Sequence, residues 1–166
     1  DISESLGKLP PQALDLEEAV LGALMLEKNA LTAVIEFLRP EHFYSEAHRE
    51  IFQAITDLFK ASEPVDMRTV VAQLRKNGKL ELVGGAYYVA ELTSKVSSAA
   101  NIEYHARIII EMAIKRDLIQ IASQVHSDAY EDTTDVFELL DKTEQSIFKI
   151  SDTNLRKNYD KMQSLM

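Results

Sequence analysis

The sequence predicts an all-α chain: a compact helical bundle, then a protruding helical hairpin and the start of a linker helix. Three observations carry this prediction. The stretch from Asn101 to Tyr130 reads as one long helix, because Ile110, Ile114, Leu118, Ile121 and Val125 recur at spacings of three and four. An acidic turn, Glu131-Asp132-Thr133-Thr134, follows it, and a second amphipathic segment returns from about Asp135 to Ser151. Upstream, apolar runs of helical period are separated by proline and glycine breaks, and the one strand-like stretch, Tyr87–Val89, is short and has no pairing partner.

Residues 1–13 hold Pro10-Pro11 and little periodicity, so a flexible lead-in is expected there. Asp15 with Glu18 three residues on resembles a capping box for a first helix built on Leu16, Val20, Leu21, Leu24 and Met25. Gly22 within it costs up to about 1 kcal/mol of helix propensity and marks a point of close packing. A second short helix is expected after Asn29, with Leu31, Val34, Ile35 and Leu38 inward, ending before Pro40. Phe43 and Tyr44 then plug the core. Ser45 caps a third helix carrying Ile51, Phe52, Ile55, Leu58 and Phe59, and Asp66 caps a fourth using Val70, Val71 and Leu74. Gly78 stands where a left-handed helix terminator belongs, and Gly84-Gly85 give a further break before a helical segment starting near Tyr87 and Tyr88, both read as core tyrosines. Ser97-Ser98 cap the long helix.

The long helix has apolar residues on more than one face: beside the core-facing stripe runs a second, Ile108, Met112, Ile119 and Ala122. The returning helix presents Val136, Leu140, Ile147 and Ile150 on one face and Phe137 and Phe148, about three turns apart, on a neighbouring one. A hairpin with that much apolar surface binds a partner. After Ser151 the composition turns polar, yet Leu155, Tyr159, Met162 and Met166 keep a four-three-four spacing, which reads as a linker helix that docks elsewhere. The expected organisation is therefore a lead-in over 1–13, a bundle over 14–100, the hairpin over 101–151 and the linker start over 152–166. The chain begins at Asp1, and Met166 falls inside a periodic pattern, so it is expected to be a piece of a longer protein.

Composition narrows the function. The 166 residues suffice for one domain with a real core, and 46% hydrophobic with 27% charged residues is ordinary for a globular protein. No apolar run approaches the roughly 20 residues that span a bilayer, so no membrane partner is expected. No signal peptide is visible. Zero cysteines exclude disulfides and thiolate metal sites and fit a reducing cytosol. The net charge of −9, with no basic block longer than two residues, argues against direct nucleic-acid binding, which needs clustered Lys and Arg.

No catalytic constellation emerges. The five glycines never form a phosphate-binding loop or a GxGxxG turn. His42 and His48 lie six apart, where helical ligand pairs favour three or four, and His105 and His126 are too distant to share a metal. Ser94, Ser97 and Ser98 precede a helix and have no nucleophile elbow around them. The acidic pairs Glu17-Glu18 and Glu131-Asp132 are explained by helix ends and solvation. Neither a catalytic residue nor a bound cofactor or metal is expected in this chain.

Several stretches, in order, resemble the amino-terminal domain of bacterial replicative DNA helicases, the DnaB family. They are Pro10-Pro11-Gln12 with Glu18–Leu26, His42-Phe43-Tyr44 with His48–Phe52, Pro64-Val65-Asp66, Val83–Leu92 and Ser98–Ile102. The resemblance covers about residues 10–152, and Ser97 departs from it, standing where many members have proline. It implies a helical bundle with a pairing hairpin, non-catalytic in itself, that forms a hexameric collar and docks primase or a helicase loader during DNA replication. It also implies a RecA-type motor elsewhere in the parent protein, which takes ATP and Mg2+ and moves on single-stranded DNA in the bacterial cytoplasm. On both grounds Ile108, Met112, Ile119, Phe137 and Phe148 are the expected subunit contacts, with Leu155, Tyr159, Met162 and Met166 as linker-docking residues. The alternative is a free-standing helical adaptor unrelated to replication.

Overall fold

The computed structural model describes residues 7–95 and 98–154. Among these are six α-helices: α1 Leu14–Leu26, α2 Glu46–Lys60, α3 Met67–Lys76, α4 Gly85–Ser94, α5 Ile102–Tyr130 and α6 Val136–Asn154. Two short 3-10 turns, Leu31–Ala33 and Pro40–His42, join α1 to α2, and the described residues contain no strand. The chain divides into two units, Gln12–Glu111 and Met112–Met166 with Asp1–Pro11. The division falls inside α5, further along the chain than the 100/101 boundary read from the sequence.

In the first unit the local signals act much as their chemistry dictates. The Ser45 hydroxyl accepts the His48 amide at 3.3 Å and starts α2. Asp66 and Thr69 cap each other across the first turn of α3, each side chain accepting the other's backbone N–H at 2.9 Å. Gly78, at φ +71°, ends α3 while the Lys79 amide reaches back to the Leu74 carbonyl at 2.8 Å. The core these helices close over includes Val20, Leu21, Leu24, Leu38, Phe43, Phe52, Ile55, Leu74, Leu92 and Ile109. Phe43 and Phe52 pack with ring centroids 5.1 Å apart.

Several expectations need correction. The first helix begins at Leu14 after Ala13, with no side-chain cap, so Asp15 lies in its first turn rather than at the cap. Glu18 instead bonds the Lys95 ammonium at 2.9 Å. The segment after Asn29 is not an α-helix. The amides of Ala33, Val34 and Phe37 bond three residues back, those of Ile35 and Leu38 four back, and the backbone leaves helical geometry at Val34 (φ −125°). It nevertheless buries Leu31, Val34 and Leu38, with Phe37 filling the core where Ile35 was expected. Phe59 ends α2 facing solvent, because only one side of that last turn meets the core. Ser98 accepts the Ala100 amide two residues before α5 and so forms a turn ahead of the helix, while Ser97 lies outside the described residues. Tyr87 is 82% exposed and no core residue, and Tyr88 is half-buried.

The largest departure is Glu17. Read as a solvated helix-end acid, it is 1% exposed. Its carboxylate accepts the Tyr44 amide at 2.8 Å, the Ser45 amide at 3.3 Å and His48 Nδ1 at 2.8 Å. Amides can only donate, so Glu17 is the acceptor and His48 Nδ1 carries a proton toward it. The far ring nitrogen, Nε2, meets the Tyr88 hydroxyl at 2.7 Å. One chain of hydrogen bonds thus ties α1, the entry to α2 and α4. No buried side-chain polar atom among the described residues lacks a partner.

Two predictions arise here. Burial first, then the Glu18 carboxylate, hold the Tyr88 phenol above the ordinary value of 10.0. The hydrogen bond to Glu18, then its charge, hold Lys95 above 10.5. In both cases the folded protein keeps a proton that the unfolded chain releases sooner. The stabilisation is therefore complete below the ordinary values and is lost as pH rises through the folded ones. Thermal midpoints are expected to be level from neutral pH to about 9 and to fall above about 10, with a shallower fall in Tyr88→Phe.

Gly84 supplies the second prediction. At φ +104° an added Cβ would lie 3.0 Å from Cβ of Tyr88. Gly84→Ala is expected to cost about 1–2 kcal/mol through left-handed strain alone, and urea titration reads the loss.

Candidate assembly surface

The second unit is a helical hairpin made by the later turns of α5 and by α6. The turn between them follows its chemistry: the Asp135 carboxylate accepts the Phe137 and Glu138 amides at 2.9 and 3.0 Å and so opens α6. The two helices meet along a groove lined by Ile121, Val125, Leu139, Thr143 and neighbouring polar side chains. An ion pair across the groove joins Lys142 to Asp128, and other polar contacts lie within α5 or reach the lead-in. Asp128 accepts from Gln124 at 2.8 Å and pairs with Lys142 at 3.5 Å. Arg116 donates to the Pro11 carbonyl at 2.7 Å.

Burial in this unit is slight. Not one residue from 114 to 154 is buried, and α6 contains none at all. Two helices alone can cover only the groove between them. The expected core stripe therefore stops early: Ile110 is buried, Ile114, Ile121 and Val125 are half-buried, and Leu118 is exposed. On α6 the groove is met by Leu139, Thr143 and Ser146, while Val136, Leu140 and Ile147 face outward and Ile150 is half-buried.

Of the residues expected at a subunit contact, Phe137 is 77% exposed, Phe148 65% and Ile119 52%. Met112 and Ile108 are each half-buried, Ile108 in the first unit. Phe137 and Phe148 stand on one exposed side of α6 with Leu140 and Ile147 between them. Leu155, Tyr159, Met162 and Met166 lie outside the described residues. His126 stacks obliquely on Tyr130, ring centroids 4.9 Å apart, on the exposed hairpin. The described residues hold no group of three acidic or histidine side chains arranged for a metal, and no helix among them is long and apolar enough to cross a membrane.

These features define an all-α helical domain: a bundle with a real core, and a hairpin whose apolar outer faces are exposed among the described residues. The chain belongs to the DnaB-like helicase N terminal domain family, whose model matches residues 9–111. It is 46% identical to the replicative DNA helicase DnaB of Rhodothermus marinus over 94% of its own length and 16% of that protein. It is 41% identical to DnaB of Geobacillus stearothermophilus over 87% of its own length and 32% of that protein. The chain thus spans a third or less of these curated relatives. The crystal structure of the N-terminal domain of DnaB helicase from Mycobacterium tuberculosis has the same fold, with a TM-score of 0.80 and 40% identity, over 85% of this chain and 99% of that one. A DnaB-like replicative helicase described with its interactions with primase shares the fold at a TM-score of 0.70 and 24% identity, over 92% of this chain and 35% of that one. The free-standing adaptor is not favoured by this membership.

Proposed function

We propose that this chain is the non-catalytic assembly and docking domain of a hexameric, ATP-dependent replicative DNA helicase of the bacterial cytoplasm. Copies pair through the outer face of the hairpin, and Met112, Ile119, Phe137 and Phe148, with Ile108, supply the contact. The resulting collar is where primase or a helicase loader docks. The motor that takes ATP and Mg2+ and moves on single-stranded DNA belongs to the rest of the parent protein.

The observation that carries this reading is the hairpin's surface. Exposed apolar side chains recur along α6 from Val136 to Phe148 over a unit that buries none of them, and such contiguous patches mark contact surfaces. The family supports the replicative context, and the primase named for one relative supports the docking role. The net charge of −9 suits protein contacts better than a hold on phosphates. Light scattering across a concentration series tests the pairing. A shift from monomer toward dimer or hexamer between micromolar and near-millimolar chain is expected. A strict monomer throughout would remove the hairpin as a self-pairing surface.

A further inference from the structure

The hairpin raises a question about its own stability. An isolated helix of fewer than about 12–15 residues is marginal in water, and longer ones in proteins are held mainly by packing of an apolar face. In α6 that packing is slight: none of its 19 residues is fully buried, and its contacts to α5 run through one narrow groove, where Leu139, Thr143 and Ser146 meet Ile121 and Val125, and through the Lys142–Asp128 pair. Exposed ion pairs of this kind contribute about 0–1 kcal/mol. Ordering a residue costs about 1–2 kcal/mol of backbone entropy. The contacts within one hairpin do not offset that cost.

The outer faces identify what does. On α5, Met112, Lys115, Ile119, Ala122 and His126 follow one another at spacings of three and four; on α6, Phe137, Leu140, Glu144, Ile147 and Ser151 do the same. Neither line contributes to the groove between the helices. These are the seams of a coiled-coil contact. Each is interrupted by charge, basic on α5 and acidic on α6. Lys115 and Glu144 are exposed and form no ion pair with a described residue. A face with an apolar basic seam beside an apolar acidic one is complementary to itself. A second copy brings cation, anion and apolar cover together, whereas an unrelated partner would have to supply all three.

We infer that residues 114–154 fold on assembly: the hairpin is ordered when a second copy covers its seams and loses its helices in the monomer, while the unit Gln12–Glu111 folds by itself. This rests on the pairing proposed above and adds to it a regulation. Assembly becomes a coupled folding reaction, steep in concentration and open to anything that orders the hairpin first. The acidic turn at Glu131 and Asp132 and the basic side chains Lys142 and Lys149 are then fully solvated in the free chain.

The test is amide hydrogen exchange on the 166-residue chain, resolved by segment, at concentrations where light scattering shows monomer and assembled species. In the monomer, amides of 114–154 are expected to exchange as freely as an unfolded peptide, while the amides of α1 to α4 stay protected. Assembly is expected to slow hairpin exchange at least a hundredfold and to restore about a third of the helical ellipticity. Equal protection of the hairpin in monomer and assembly overturns the inference and leaves the pairing standing. A chain that never assembles overturns the pairing, and the inference with it. Should dilution not separate the copies, Phe137→Asp with Phe148→Asp supplies the monomer. Both rings are exposed within a single chain, so their loss removes no packing there.

Discussion

Replacing Glu17 by alanine is expected to cost about 3–5 kcal/mol, since each buried donor left without its acceptor costs about 1–3 kcal/mol. The carboxylate is the acceptor for two backbone amides and an imidazole, and without it all three donors are left with no partner in a dry site. A domain of this size has only about 5–15 kcal/mol in total, so the variant melts far below the parent. Glu17→Gln keeps the volume and one acceptor oxygen, but its NH2 group faces donors, so most of the loss is expected to persist. His48→Phe with Glu17→Leu removes both partners together and is expected to recover part of it, since apolar replacements of matched shape tolerate burial better than a broken pair. Chemical denaturation of the four proteins, with slopes compared, separates lost stability from altered compactness. A loss under 1 kcal/mol for Glu17→Ala would mean that water replaces the carboxylate at no cost.

The other large effect is on association. Phe137→Asp and Phe148→Asp are each expected to weaken pairing by about 2 kcal/mol or more, roughly thirtyfold, as aromatic anchors do, and the double variant is expected to remain monomeric. The melting transition of the Gln12–Glu111 unit should be unchanged, because neither ring belongs to it. Sedimentation equilibrium gives the association constant and a thermal melt gives the control. Wild-type association in the double variant would move the contact to another face. The contrast between the two predictions is instructive: a carboxylate at 1% exposure acts on folding, while rings at 77% and 65% act on what the folded chain meets.

Much of the architecture was legible locally. The six helices, the Ser45 and Asp66 caps, the Gly78 terminator and the hairpin turn depend on spacing and on side chains that act within one turn. A cap residue needs only its neighbours three positions on. That Phe137 and Phe148 share one side of α6 was legible too, because an amphipathic period reports which residues share a side, though not which way that side faces.

What lay beyond the sequence depends on distance in space. Glu17 and Glu18 are adjacent acids with the same propensities, yet one is buried against His48 and the other pairs with Lys95 near the surface. Nothing within one helix distinguishes them; the approach of α2, 27 to 31 residues away, does. Leu31, Val34 and Leu38 were correctly inward, but a 3-10 turn at Leu31–Ala33 and the irregular turn after it, rather than an α-helix, carry them, since packing around Phe37 overrides a weak local preference. The period of α5 likewise could not say where its core stripe ends. The sequence alone determined the six α-helices, their order and the family, while a further helix expected after Asn29 is a 3-10 turn. The tertiary structure decided which acid is buried, which stripe is left bare and where the core stops, because burial is set by neighbours that the local chain does not contain.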